Sequence, residues 1–133
     1  MAPLRHPRLW LFIGLCLLAV LAVASLLPVQ LDRGSFRGED KLLHLLAYGA
    51  VTAWFLQIFH RPRAALAWVA AIFTLSLGME VLQHWFPPRS PDPRDLLANT
   101  LGIGGALLLS LTPLRHTLQW LERRIWASGV EGD

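Results

Sequence analysis

Four long apolar stretches alternate with short polar ones along the chain. The first runs from Leu9 to Leu27 without a charged residue, which is close to the roughly 20 residues that a helix needs to cross the hydrocarbon layer of a membrane. Further candidate spans lie at residues 42–59, 64–86 and 94–112. The pattern predicts an all-α integral membrane protein, a single domain over residues 1–133, with four transmembrane helices in an antiparallel bundle.

Short polar segments mark where the spans begin and end. The connection at residues 60–63 is so short that the second and third spans must run antiparallel beside each other. Asp92 followed by Pro93 is typical of a helix start, with an N-cap and a proline in the first turn. After Pro113, leucines recur at helical spacing over residues 114–126, opposite arginines. This tail predicts a short interfacial amphipathic helix.

The first apolar stretch has a second interpretation. Ala22-Val23-Ala24 before Ser25 resembles the cleavage site of a secretory signal. Because the apolar run continues to Leu27 and reaches spanning length, we expect a retained membrane anchor. A cleaved signal is the alternative.

Composition and charge support a membrane protein. The chain is 54% hydrophobic and 16% charged, too apolar for an ordinary soluble domain. Its net charge of +3 comes with no basic face carrying interleaved aromatics, so we expect no nucleic acid partner. The one cysteine, Cys16, can form neither a disulfide framework nor a thiolate metal site.

The distribution of lysine and arginine predicts an orientation. Seven of the 12 lie in the amino terminus, the second loop and the tail, and five lie in the other two loops. Since cytoplasmic loops carry the excess of basic residues, both termini are predicted to be cytoplasmic. The first and third loops then face outward, and the partner expected for the spans is the lipid bilayer.

Polar residues cluster at three span ends that this orientation places on the outer side. The second span begins there, the third ends there and the fourth begins there, so residues distant in sequence share one depth. They are Asp40, Lys41, His44, Tyr48, Glu80, Gln83, Arg89, Asp95 and Asn99. The four in the second span fall within one narrow arc of a helix, and Asp95, Asn99, Gly102 and Ala106 form one stripe that grades into a small-residue packing seam.

Most of these residues also have a simpler structural interpretation. Asp40 and Asp95 can cap helix starts. Lys41 and Arg89 can extend to the lipid headgroups, and Tyr48 can be an interfacial aromatic. Taken singly, none of these five residues predicts a functional site.

His44, taken alone, also favours a structural interpretation, whereas Glu80 is harder to explain without a function. A lone histidine more often packs with a satisfied hydrogen bond than acts as a base. Glu80, however, lies about two turns inside its span, where an ionised carboxylate is costly unless it is paired or protonated. An ion pair with Lys41 or Arg89 is its structural alternative.

Three blocks of these residues resemble a family signature. Asp40-Lys41-x-x-His44-x-x-x-Tyr48, then Glu80-x-x-Gln83, then Arg89 followed by Asp95-x-x-x-Asn99-x-x-Gly102, are similar to the motifs of the VanZ-like family of bacterial membrane proteins. The resemblance implies a small multi-pass protein of the bacterial cytoplasmic (inner) membrane. The family is named for a member linked to resistance to teicoplanin, a glycopeptide whose targets are cell-wall precursors on the outer face. It implies no particular reaction, so enzymatic activity stays open.

The leading functional hypothesis is a site for an anionic headgroup, lipid-linked or from the cell envelope, at the outer membrane face. Any acid–base chemistry would use His44, Glu80 and Asp95. The headgroup would be bound by Asp40, Lys41, Tyr48, Gln83, Arg89 and Asn99. A link to glycopeptide susceptibility would follow if the headgroup belongs to a wall precursor.

Several alternatives stay open at this stage. The protein could be a small ion- or proton-coupled transporter, or a noncatalytic helper of an envelope complex, and oligomers are possible. A metal site formed by His44, Glu80 and Asp95 is disfavoured because it offers only one histidine. We therefore expect no metal and no other cofactor.

Overall fold

The computed structural model describes residues 3–26, 39–85 and 92–127. Within these residues all regular elements are helices, which confirms the predicted all-α class. They are α1 (Pro7–Leu26), α2 (Glu39–Ile58), α3 (Pro62–Gln83), α4 (Pro93–Leu109), a 3-10 helix (Pro113–His116) and α5 (Thr117–Ala127).

Three of the helices, α1, α2 and α3, are each long and apolar enough to cross a membrane. The fourth, α4, has 17 residues, a rise of about 25 Å, which is shorter than the hydrocarbon layer of about 30 Å. It passes the same test only together with the segment from Pro113 to Trp126, from which it is bent by 84°. The described residues thus contain three candidate spans, or four if the bent pair counts as one.

Hydroxyl side chains end α4 before the predicted limit of its span. Ser110 Oγ donates to the Leu107 carbonyl at 2.6 Å and Thr112 Oγ1 donates to the Leu109 carbonyl at 2.7 Å. The Ser110 bond satisfies a carbonyl near the helix end, and the Leu109 carbonyl also accepts the backbone N–H of Thr112 at 3.0 Å. Pro113 then occupies the first turn of the 3-10 helix, where its missing N–H costs nothing.

The packing of α2 against α4 is the most extensive helix contact, and glycine makes it possible. A Cβ at Gly102 would overlap the Leu45 carbonyl oxygen, and one at Gly49 would lie 3.2 Å from the Gly102 carbonyl oxygen. Small residues let two helix backbones approach this closely, as the stripe through Gly102 and Ala106 predicts. The approach brings the polar residues of the two helices together at one end of the bundle.

The tail helix α5 packs against the start of α1. The Glu122 carboxylate accepts hydrogen bonds from the backbone N–H of Arg5 at 2.6 Å, the backbone N–H of His6 at 2.8 Å and the Trp10 indole at 3.0 Å. N–H groups at a helix start lack intrahelical partners, so a carboxylate from α5 caps α1. The end of the bundle that contains this contact lies opposite the polar residues.

Candidate functional site

Four helix ends meet at the polar end of the bundle. The carboxyl ends of α1 and α3 lie beside the amino ends of α2 and α4. Gln83 Nε2 donates to the Ser25 carbonyl of α1 at 2.7 Å, and Asn99 Nδ2 donates to Ser76 Oγ of α3 at 2.8 Å. These four helix ends enclose a group of polar side chains from α2, α3, α4 and the residue before α4. We call this group the polar cluster. It contains Asp40, Lys41, His44, Ser76, Glu80, Gln83, Asp92, Asp95 and Asn99.

Lys41 lies among three aspartates. Its ammonium nitrogen contacts Asp95 Oδ1, lies 2.8 Å from Asp92 Oδ2 and lies 3.4 Å from Asp40 Oδ2. Asp92 also caps α4, because its Oδ1 accepts from the Arg94 N–H at 2.9 Å. The Lys41 ammonium and this N–H hold the pKa of Asp92 below its usual range. The charge of Lys41 is therefore already compensated inside the protein, which leaves it poorly suited to bind an anion alone.

His44 is held in one orientation by α4. Its side chain is 10% exposed, and Nδ1 lies 3.1 Å from Asn99 Oδ1. Because the Asn99 amide nitrogen donates to Ser76, the hydrogen-bond network assigns Nδ1 as the protonated nitrogen that donates to Oδ1. The lone pair of the neutral ring is then on Nε2, which lies 3.8 Å from Asp40 Oδ1 and 3.7 Å from Asp95 Oδ2.

Glu80 faces the same group from α3. Its carboxylate lies beside the backbone N–H of Asp92 and within electrostatic range of Asp95 and His44. Oε1 is buried and has no hydrogen-bond partner among the described residues. The alternative ion pair with Lys41 does not form, since the ammonium lies among the aspartates instead.

Gln83 carries a second unsatisfied acceptor. The side chain is 2% exposed, and its Nε2 is bonded to Ser25. Its Oε1 is buried without a partner within residues 3–26, 39–85 and 92–127. Two acceptor oxygens, one on each of two neighbouring turns of α3, are therefore left without donors.

Tyr48 lies on the inner side of the polar cluster. It is 1% exposed, its ring stacks on His44 with centroids 6.4 Å apart, and its phenol lies beside Ser25 and Ser76. It is thus a core residue, not the interfacial aromatic of the structural alternative. Tyr48 could therefore affect ligand binding, its predicted role, only by fixing the position of His44.

The structure brings together eight of the nine residues that the sequence predicts; Arg89 lies outside the described residues. It adds Ser25, Ser76 and Asp92. Sequence reasoning assigned no functional role to Ser76 and treated Asp92 only as a cap. The sequence signal that could have identified Ser76 was its spacing, because it lies one turn before Glu80 on the same face of α3.

Fold and site together define a class of protein: a small chain whose described residues form only helices, with three or four candidate membrane spans and a partly buried polar cluster at one end of the bundle. A family model described as VanZ/LLP1 matches residues 20–114, a range that contains the whole polar cluster. The chain belongs to the VanZ/LLP1 family, as the three-block resemblance implies. No curated protein and no solved structure matches it.

Proposed function

We propose that this protein binds the polar headgroup of a lipid-linked or cell-envelope molecule in the polar cluster. The observation that supports it best is the pair of buried, unpartnered acceptors, Glu80 Oε1 and Gln83 Oε1. A buried polar atom without a hydrogen bond costs roughly 1–3 kcal/mol. A ligand that donates hydrogen bonds to both oxygens would recover that cost on binding.

The charges of the cluster refine the class of headgroup. Three aspartates surround Lys41, and Glu80 adds a fourth carboxylate. A site with this excess of acceptors suits hydroxyl, amine or amide donors such as those of sugars and amino sugars. An anionic part of the headgroup needs another positive charge, for which Arg89 stays the predicted contact.

The membrane face follows from the charge distribution. The excess of basic residues at the termini and in the second loop favours an orientation with the polar cluster at the outer face of the bacterial inner membrane. A headgroup bound there would belong to the outer leaflet. If it is a cell-wall precursor, glycopeptide susceptibility would change when the protein is lost.

Any reaction on the headgroup would depend on His44. The lone pair on Nε2 makes the neutral ring a base, with Asp95 and Asp40 at its side and Glu80 across from it. Binding alone, however, explains the unpartnered acceptors. The proposal therefore includes no chemical step.

Copurifying lipids provide the test. Mass spectrometry of detergent-purified wild-type protein should detect a lipid with a hydroxyl-rich or amine-rich headgroup. Glu80→Gln should retain several-fold less of it, because the amide keeps an acceptor oxygen but loses the charge that strengthens the hydrogen bond. His84→Ala is the matched control, since His84 lies one turn further along at the exposed end of the same helix. Identical lipid profiles for wild-type and Glu80→Gln proteins at equal membrane levels would refute the proposal.

A further inference from the structure

The geometry around His44 points to a metal site. We propose that Asp40, His44 and Asp95 bind one divalent transition-metal ion of the Zn²⁺ type. One ligand atom from each residue lies within 4.8 Å of the other two. The inference goes beyond headgroup binding and does not depend on it, because the ion would bind in the absence of lipid.

The state of the His44 ring is the first argument. In the neutral ring, with Nδ1 bonded to Asn99, the lone pair is on Nε2, which lies 3.7 Å from Asp95 Oδ2 and 3.8 Å from Asp40 Oδ1. These distances are too long for hydrogen bonds, and Nε2 forms no hydrogen bond within the described part of the chain. Ligand atoms about 2.1 Å from a tetrahedral ion lie roughly 3.4 Å apart, so small side-chain rotations would place all three around one ion.

The support behind His44 is the second argument. Metal-binding histidines nearly always donate their other ring N–H to an acceptor that fixes the ring. Asn99 Oδ1 is that acceptor, and Asn99 is itself fixed by its bond to Ser76. The imidazole, nine-tenths buried, is thus held in the tautomer and orientation that a metal ligand needs.

At Asp95, Lys41 and His44 face different carboxylate oxygens, so Lys41 does not block the oxygen proposed to bind the ion. Its ammonium contacts Asp95 Oδ1 and Asp40 Oδ2, whereas His44 faces Asp95 Oδ2 and Asp40 Oδ1. The two cations would therefore bind opposite oxygens of the same carboxylates. Lys41 would hold both aspartates in place whether or not the ion is bound.

The charge of the surroundings also favours a divalent cation. The cluster carries four carboxylates and one ammonium, an excess of three formal negative charges close to the membrane (Asp40, Glu80, Asp92, Asp95 and Lys41). Crowded carboxylates disfavour each other's ionisation unless a positive charge compensates them. A divalent ion would offset two of the three charges.

The donor set indicates which metal. Imidazole suits zinc and other transition metals, whereas magnesium and calcium prefer oxygen ligands alone. Three protein ligands with an open fourth position are typical of catalytic zinc sites. The single histidine, which disfavours a metal site on sequence grounds, is accompanied here by two carboxylates that face its Nε2. Glu80, which faces Asp95 and His44 from α3, is available for that position or for a water on the ion.

The experiment is a Zn²⁺ titration of chelator-stripped, detergent-purified protein by calorimetry. We expect one equivalent to bind, with His44→Ala abolishing binding and Asn99→Ala weakening it about 10–100-fold as the loss of a supporting hydrogen bond does elsewhere. Asp40→Asn, at the partly exposed start of α2, provides a ligand variant that is easier to fold. His84→Ala is the control, because it also removes one histidine but lies outside the proposed site. It should bind Zn²⁺ with wild-type affinity.

Two results would overturn the metal site. One is wild-type protein that binds no Zn²⁺. The other is folded Asp40→Asn or Asn99→Ala protein with wild-type affinity, since then the bound ion lies elsewhere. Lipid copurification is measured with the same chelator-stripped protein, so that the two proposals are tested separately. If the protein retains the headgroup lipid but binds no metal, only the metal site is refuted.

Discussion

At the scale of single residues, Lys41 differs most from its expected role. The sequence suggests a cation at a membrane surface, free to extend to headgroups or to bind an anion. In the structure the ammonium contacts Asp95, which is 7% exposed, and lies close to Asp92 and Asp40. Its first role is therefore to compensate the buried carboxylate of Asp95 together with the partly exposed carboxylates of Asp92 and Asp40. An exposed cation contributes little to stability, whereas removal of the partner of a buried carboxylate is expected to be destabilising.

Replacing Lys41 by methionine tests that role. Removal of one partner of a buried ion pair costs about 3–5 kcal/mol, and we expect the low end because Lys41 itself is 31% exposed. The measurement is denaturant unfolding of the purified protein in detergent. Lys41→Met combined with Asp95→Asn should recover much of the loss, because the buried side chain at position 95 is then no longer a charge without its partner.

The matched control for this prediction is Arg94→Met. Arg94 is an exposed cation at the same end of the bundle, and its loss should change stability by less than about 0.5 kcal/mol. Equal effects of Lys41→Met and Arg94→Met would mean that Lys41 contributes only as a surface charge.

At the scale of helices, the contact between α2 and α4 positions the cluster. His44 and Lys41 reach Asn99 and Asp95 only because Gly102 lets the two backbones approach. The sequence contains this information as a stripe of small residues. Which glycine lies at the closest approach is decided by the crossing of the helices in space.

Gly102→Ala should therefore separate the two helices. Its methyl group would overlap the Leu45 carbonyl oxygen, and overpacking of this kind costs about 1–3 kcal/mol. Gly104→Ala is the control, because nothing lies within 4 Å of its Cβ and alanine is the better helix former by about 1 kcal/mol. Unfolding in detergent should show loss for the first variant and no loss for the second; a stabilised Gly102→Ala protein would contradict the close contact.

At the scale of the whole molecule, the two ends of the bundle have different chemistry. One end contains the polar cluster. The other contains the Glu122 cap on α1, together with an apolar group formed by Leu4, Trp10, Ile58 and Leu118. The difference between the ends, combined with the charge distribution, predicts which end faces outward.

Cysteine labelling tests the orientation. In a Cys16→Ser background, Arg94→Cys at the cluster end should react with a membrane-impermeant maleimide in intact cells, and Arg63→Cys at the other end should react only after the membrane is opened. Both side chains are exposed, so accessibility to reagent is the only variable. The reverse pattern would place the cluster on the cytoplasmic face and would rule out an outer-leaflet ligand.

Much of the site was predictable because helical spacing and span order place residues at a common depth without any knowledge of packing. The sequence grouped His44, Glu80, Asp95 and Asn99 in this way, and the structure brings them together. The length of α4 was not predicted, because its end depends on how Ser110 and Thr112 bond to the preceding carbonyls. Asp92 was seen only as a cap, since its contact with Lys41 crosses from one helix to another.

By itself, the sequence determined the helical class, the apolar spans and the set of polar residues at one level, because apolar length and helical periodicity are local properties of the chain. Only the tertiary structure decided which residues form hydrogen bonds and ion pairs with each other. Lys41 is compensated by three aspartates, His44 is oriented by Asn99, and Glu80 and Gln83 each keep a buried acceptor without a donor among the described residues. Hydrogen bonds and ion pairs depend on distances of a few ångströms between different helices, and those distances are set by packing.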